Sequence, residues 1–237
     1  ELPEAPVLAS AAEDADRDSA PAGLNAHDTG GQPEQFAPLS PSALEAARLW
    51  QSALRATLTS EDEREIFSPA PAQGTARLRR AIAHHLRGTR GMNVNPDNIV
   101  IGAGAQLLDT MLVQLLGTDK VYAVEDPGYL RLTRIYQAMG CEVRHIALDG
   151  EGVDLGALQN AGTDVLHLMP SHQYPTGLVT SIARRYALLS WAAEQLGRYL
   201  IEDDFDCEFR LAGKPIPALA SIDAAQSVIY TNTFSKS

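Results

Sequence analysis

From Asn98 onward the sequence alternates between short β-rich runs and helical segments, and this alternation restricts the fold more than any other feature. The runs are Ile99–Ile101, Val121–Val124, Val143–Ile146, Val165–Leu168, Tyr199–Ile201 and Val228–Tyr230. Helical periodicity fills most of the intervals, at Ala105–Leu116, Leu130–Met139, Leu155–Ala161 and Ile182–Leu196. Strands alternating with helices predict an α/β fold, a mostly parallel sheet covered on both faces in three layers. The runs are continuously apolar, as strands buried on both sides should be. No internal repeat is present.

The upstream part reads differently. Residues 1–35 are rich in Ala, Asp, Glu, Pro and Gly, with one arginine and no aromatic. Such a composition buries too little surface to offset ordering entropy, so it reads as a linker or arm, and a chain that opens on a linker suggests a preceding segment. Residues 36–88 form an entry segment. Ser40-Pro41-Ser42 looks like a helix start with Pro at the first helical position, followed by a stripe of Leu44, Ala47, Leu49, Trp50, Leu54 and Leu58. After Pro69, Pro71 and Gly74 a second helix is expected at about Ala76–Arg87, built on Leu78, Ile82 and Leu86. Residues 89–237 hold the alternating pattern.

Bulk properties narrow the function. The hydrophobic fraction of 45% is ample for a core. No apolar run is long enough to span a bilayer, and the N-terminus does not resemble a signal peptide. Cys141 and Cys207 lack metal-ligand spacing and read as reduced thiols of a cytoplasmic protein. A formal net charge of −11 without a basic stripe argues against direct nucleic-acid binding by this chain.

In an open α/β sheet, ligands bind beyond the carboxyl ends of the strands, so the chemistry should follow each run. After the first comes Gly102-Ala103-Gly104-Ala105-Gln106, which either cradles an anion at a helix N-terminus or uses glycine for steric reasons alone. After the second, Glu125-Asp126-Pro127-Gly128-Tyr129 presents an aromatic, as a stacking ring or as core. After the fourth comes the polar loop from Met169 to Gly177, in which His172 reads as a general base or a hydrogen-bonding residue. The fifth ends in Glu202-Asp203-Asp204-Phe205-Asp206. Four acids here need a cation, either a metal or a protonated ring nitrogen, unless the turn is simply solvated. The sixth leads to Thr233-Phe234-Ser235-Lys236-Ser237. An isolated lysine there would be a surface residue; behind a buried strand it is also a candidate amine nucleophile. An anion cradle, an aromatic, a carboxylate and a lysine together are what pyridoxal 5'-phosphate requires.

These phrases resemble the aminotransferase class I/II family of fold type I pyridoxal-phosphate enzymes. With His172-Gln173-Tyr174-Pro175-Thr176-Gly177 and the run Glu202–Phe209, the chain is most similar to the aminotransferase-like domain of MocR-type regulators of the GntR superfamily. The match runs from about Phe36 to the end. The resemblance implies the following roles. Lys236 bonds the cofactor, Asp203 pairs with its pyridine nitrogen and Tyr129 stacks on the ring. Gly104, Ala105 and Gln106 hold the phosphate with Thr233 and Ser235, Tyr174 lies beside the ring hydroxyl, and Arg131 receives a substrate carboxylate. It also implies a homodimer and a winged-helix DNA-binding domain outside this chain.

Three departures stand out. Phe205 replaces a tyrosine that bonds the ring oxygen in relatives. No tyrosine precedes Tyr122, where many relatives lend one to the partner's phosphate; Phe67 stands near that place. The family pattern continues beyond the lysine, so the sequence reads as a large domain truncated there. Three functions follow: an effector domain sensing an amino compound through aldimine formation on Lys236, an active aminotransferase, or a carboxylate metal site at Asp203, Asp204 and Asp206.

Overall fold

A computed structural model describes residues 40–59, 67–206 and 216–234. The chain divides into two compact units at residues 63 and 64. The first holds helix α1 (Pro41–Thr59). Ser40 starts it as expected: its hydroxyl accepts from Ala43 N–H at 3.2 Å and its carbonyl from Leu44 N–H at 3.0 Å, with Pro41 where a missing donor costs nothing.

The second unit begins with α2 (Ala76–Arg90), capped by Thr75, whose hydroxyl accepts from Leu78 N–H. Then follow α3 (Ala105–Leu116), β1 (Val121–Asp126), α4 (Leu130–Ala138), β2 (Glu142–Asp149), β3 (Gly152–Val153), α5 (Leu155–Asn160), β4 (Val165–Leu168), α6 (Ile182–Ala193), β5 (Tyr199–Asp203), α7 (Leu219–Ile222) and β6 (Val228–Thr231). The six strands form one sheet in the order β3-β2-β1-β4-β5-β6. All pairs are parallel except the edge pair β2–β3.

The pleat sends successive residues to opposite faces, and two cores result. Ala123, Leu166, Leu168 and Leu200 pack with Leu158 of α5, Leu188 and Trp191 of α6 and Leu219 of α7. Tyr122, Val124, Val165 and Ile201 pack on the other face with Val113 of α3 and Leu132 and Tyr136 of α4. These are the three layers expected from the sequence.

Some details differ. Ile99–Ile101 forms no strand: Ile101 N–H bonds to Gln73 carbonyl, and no ladder partner lies beside the run among the described residues. Strand β2 is largely exposed rather than buried on both faces, because it lies near the sheet edge with only two residues of β3 outside it. Helix α6 stops at Ala193, three residues short of Leu196. Arg198 returns there to donate to the terminal Trp191 carbonyl at 3.0 Å and to cover the indole at 4.6 Å. Strand β5 runs two residues further than its apolar core, which brings Asp203 under the pleat's control.

Candidate cofactor site

Because β1, β4, β5 and β6 are parallel, their carboxyl ends share one edge. The acidic run lies there, and the pleat sorts it. Glu202 turns toward the face of α6 and α7, where Leu219 N–H and Ala220 N–H donate to its two oxygens at 2.9 Å each. The buried Arg185 stands 3.6 Å away and also donates to the carbonyls of Pro170, Thr180 and Pro217. Desolvation raises the Glu202 carboxyl above its ordinary range despite these donors.

Asp204 is also buried. Arg90, the last residue of α2, reaches it at 2.8 Å, and Tyr230 hydroxyl donates to the same oxygen at 2.7 Å. Asp206 pairs with His172, whose ring stacks on Phe205 with centroids 6.2 Å apart and planes at 16°. Three of the four acids therefore have structural partners. Asp203 alone turns to the face of α3 and α4, where its neighbour is His167 Nε2 at 3.9 Å. This separates Asp203, Asp204 and Asp206, and no group of three metal-ligating side chains exists among the described residues. His172 is likewise committed to holding the β5 end.

Tyr129 and Tyr174 meet edge to face across the same edge, with centroids 5.8 Å apart and planes at 86°. Next to Tyr174 in the chain, Gln173 is 1% exposed. Its amide donates to Pro127 carbonyl at 2.8 Å and Tyr174 carbonyl at 2.7 Å, and its oxygen accepts from Thr176 hydroxyl at 2.6 Å. One side chain thus ties the β1 loop to the β4 loop. Below it, Glu125 accepts from Met169 N–H at 3.0 Å, while burial pushes its carboxyl up to about 7. Gly128 lets the loop close: a Cβ there would lie 2.2 Å from Glu125 carbonyl oxygen.

Helix α3 opens at Gly104, with φ 92° and ψ 161°, and no side chain caps it. Gly104, Ala105 and Gln106 are exposed, so first-turn N–H groups remain available to an anion. One turn later Asp109 is buried, and desolvation raises its carboxyl although His167 opposes the shift. The Asp203 charge at the end of β5 adds a smaller upward contribution. Arg131 is exposed in the first turn of α4. Thr233 is half-buried just past β6, and its N–H bonds to the Asn232 side chain. Ser235 and Lys236 lie outside the described residues.

Comparison with known proteins decides the family. The profile for aminotransferase class I and II matches residues 34–237. This chain belongs to that family. Among curated proteins, it is 39% identical over 197 residues to the HTH-type pyridoxine biosynthesis transcriptional regulator PdxR of Corynebacterium glutamicum, covering 83% of this chain and 43% of that protein. It is 38% identical over 173 residues to the HTH-type regulator YdeL of Bacillus subtilis (73% and 37%). It is 30% identical over 164 residues to the probable rhizopine catabolism regulatory protein MocR of Rhizobium meliloti (69% and 33%). The chain thus spans well under half of these relatives' length.

Solved structures share the family fold. An archaeal alanine:glyoxylate aminotransferase superposes with a TM-score of 0.73 at 24% identity, covering 83% of this chain and 50% of that one. The α-aminoadipate aminotransferase LysN of Thermus thermophilus, complexed with N-(5'-phosphopyridoxyl)-L-leucine, gives 0.70 at 25%, with 83% and 50% coverage.

Sequence reasoning named the acids but missed their partners. Arg90, Tyr136, His167 and Arg185 carry no recognisable signal in their local sequence, and Gln173 stands in a recognised phrase that does not reveal its bridging bonds.

Proposed function

We propose that this chain is the pyridoxal-phosphate-binding effector domain of a MocR/GntR-type transcriptional regulator, responding to an amino acid or other small amine. The observation that carries the reading is the sorting of the acids at the end of β5. Glu202, Asp204 and Asp206 are held by protein groups, and Asp203 is left to face the edge where Tyr129 and the α3 entrance stand. An acid so presented suits a protonated ring nitrogen, a charge that a facing carboxylate favours.

The residues fit the cofactor by their chemistry. The uncapped N-terminus of α3 at Gly104, Ala105 and Gln106 supplies N–H donors for a phosphate, with Thr233 and Ser235 adding hydroxyls. Tyr129 offers a ring face and Tyr174 a hydroxyl. Lys236 anchors the cofactor covalently, and Arg131, exposed beside Tyr129, receives an effector carboxylate. When bound, pyridoxal phosphate supplies a carbonyl that amines attack and a ring that withdraws electrons. Phe205 packs against His172 and has no hydroxyl to offer the ring oxygen, which favours sensing over efficient turnover. In this reading the cytoplasmic protein is a homodimer, and DNA contact belongs to a winged-helix domain outside this chain.

The test is spectroscopic. The full-length protein with pyridoxal phosphate is titrated with candidate amino compounds, with and without a keto-acid acceptor. A visible band that shifts with one amine and shows no turnover supports the regulator. Steady conversion of the acceptor would make it an aminotransferase instead.

A further inference from the structure

Beneath Asp203 lies a buried imidazole that the assignments above leave without a task. His167, on β4, is 1% exposed and pairs in register with Ile201 of β5. The pleat turns it to the face of α3 and α4, the face that Asp203 also takes. Its Nδ1 lies 2.5 Å from Tyr136 hydroxyl on α4. Its Nε2 is buried, makes no hydrogen bond, and points at Asp203 from 3.9 Å. A buried nitrogen without a partner is costly, so its aim is informative.

The groups around the ring come from every neighbouring element: Asp109 from α3, Tyr136 from α4, Glu125 from β1 and Asp203 from β5. Burial works against a charged imidazole, yet Asp203, Asp109 and Glu125 outweigh it and raise His167 above its ordinary range. The proton on Nε2 does not depend on that balance. In the imidazolium both nitrogens carry one. In the neutral ring, Tyr136 hydroxyl donating to Nδ1 leaves the N–H on Nε2. The remaining tautomer would aim a lone pair at a carboxylate.

We propose that His167 is a positioning residue for Asp203: it presents Nε2–H to that carboxylate and keeps it directed at the cofactor's ring nitrogen, with Tyr136 fixing the imidazole from behind. This rests on the assignment of Asp203 made above. A hydrogen bond requires the two groups to close by about 1 Å from their present separation.

The experiment uses the full-length protein loaded with pyridoxal phosphate labelled with 15N in the ring. Wild type should show a protonated ring nitrogen. His167→Leu should lose that signal and weaken cofactor binding about tenfold, the effect of one hydrogen bond to a charged group. His167→Gln, whose amide reaches the Nε2 position, should restore it. A protonated ring nitrogen in His167→Leu overturns the proposal. Borohydride trapping at Lys236 is followed in parallel, since its absence in wild type defeats the cofactor assignment rather than the role of His167. If His167→Leu does not fold, imidazole 15N correlations in the cofactor-free wild type decide. A protonated Nε2 that shifts in Asp203→Asn supports the proposal, and a bare Nε2 overturns it.

Discussion

Asp203 and Asp204 are neighbours in sequence, identical in chemistry and opposite in consequence. Asp204 is sealed between Arg90 and Tyr230. Removing one partner of a buried ion pair leaves the other uncompensated, which costs about 3–5 kcal/mol. Asp204→Ala should therefore lower stability by that amount in chemical denaturation. Asp203→Asn, whose ion-pair neighbour is His167 at 3.9 Å and which keeps an acceptor facing it, should cost less than Asp204→Ala, while impairing cofactor binding. Glu125 provides a pH prediction. Its carboxyl is raised to about 7 from an ordinary 4.5, chiefly by desolvation. Between those values the folded state holds a proton that the unfolded chain has released. The associated stability is complete below pH 4.5 and is lost as pH rises through about 7, on the order of 3 kcal/mol in all. Glu125→Gln keeps an acceptor for Met169 N–H and cannot ionise. Thermal melts between pH 5 and 8 should show a smaller decline for that variant than for wild type.

The elements set which residues were legible in the sequence. Helices α3 and α4 and strand β4 stand where periodicity puts them, since each is a strong local pattern. Which acid faces the site was legible only through the family resemblance and not from local pattern, because it depends on β5 continuing two residues past its apolar run. Only then does the pleat fix Glu202 on one face and Asp203 on the other. His167 was hidden for a related reason: a buried polar residue inside an apolar strand leaves the strand's pattern intact. Arg90 and Asp204 are far apart in sequence, and no local signal announces such a pair. The loops are set by small residues. Gly128→Ala should displace the turn carrying Tyr129, given the 2.2 Å approach to Glu125 carbonyl. The fluorescence of the Tyr129 and Tyr174 region and cofactor affinity should change together. Gly104→Val places a side chain at φ 92°, at a cost of about 1–3 kcal/mol, and should weaken phosphate binding more than Gly128→Ala does.

For the whole molecule, a net charge of −11 gives the chain little attraction for a polyanion. The isolated chain should not shift a DNA duplex at physiological salt, and a shift that weakens with added salt would contradict this. Among the described residues no helix is long and apolar enough to cross a membrane. The central claim is that the sheet edge described by Asp203, Tyr129 and the α3 entrance delivers a cofactor to Lys236. Its most direct measurement is borohydride reduction of the full-length protein with pyridoxal phosphate, followed by peptide mass spectrometry. The account predicts one modified peptide, carrying the label on Lys236 and lost in Lys236→Ala. A label on another lysine, or none at saturating cofactor, would contradict it.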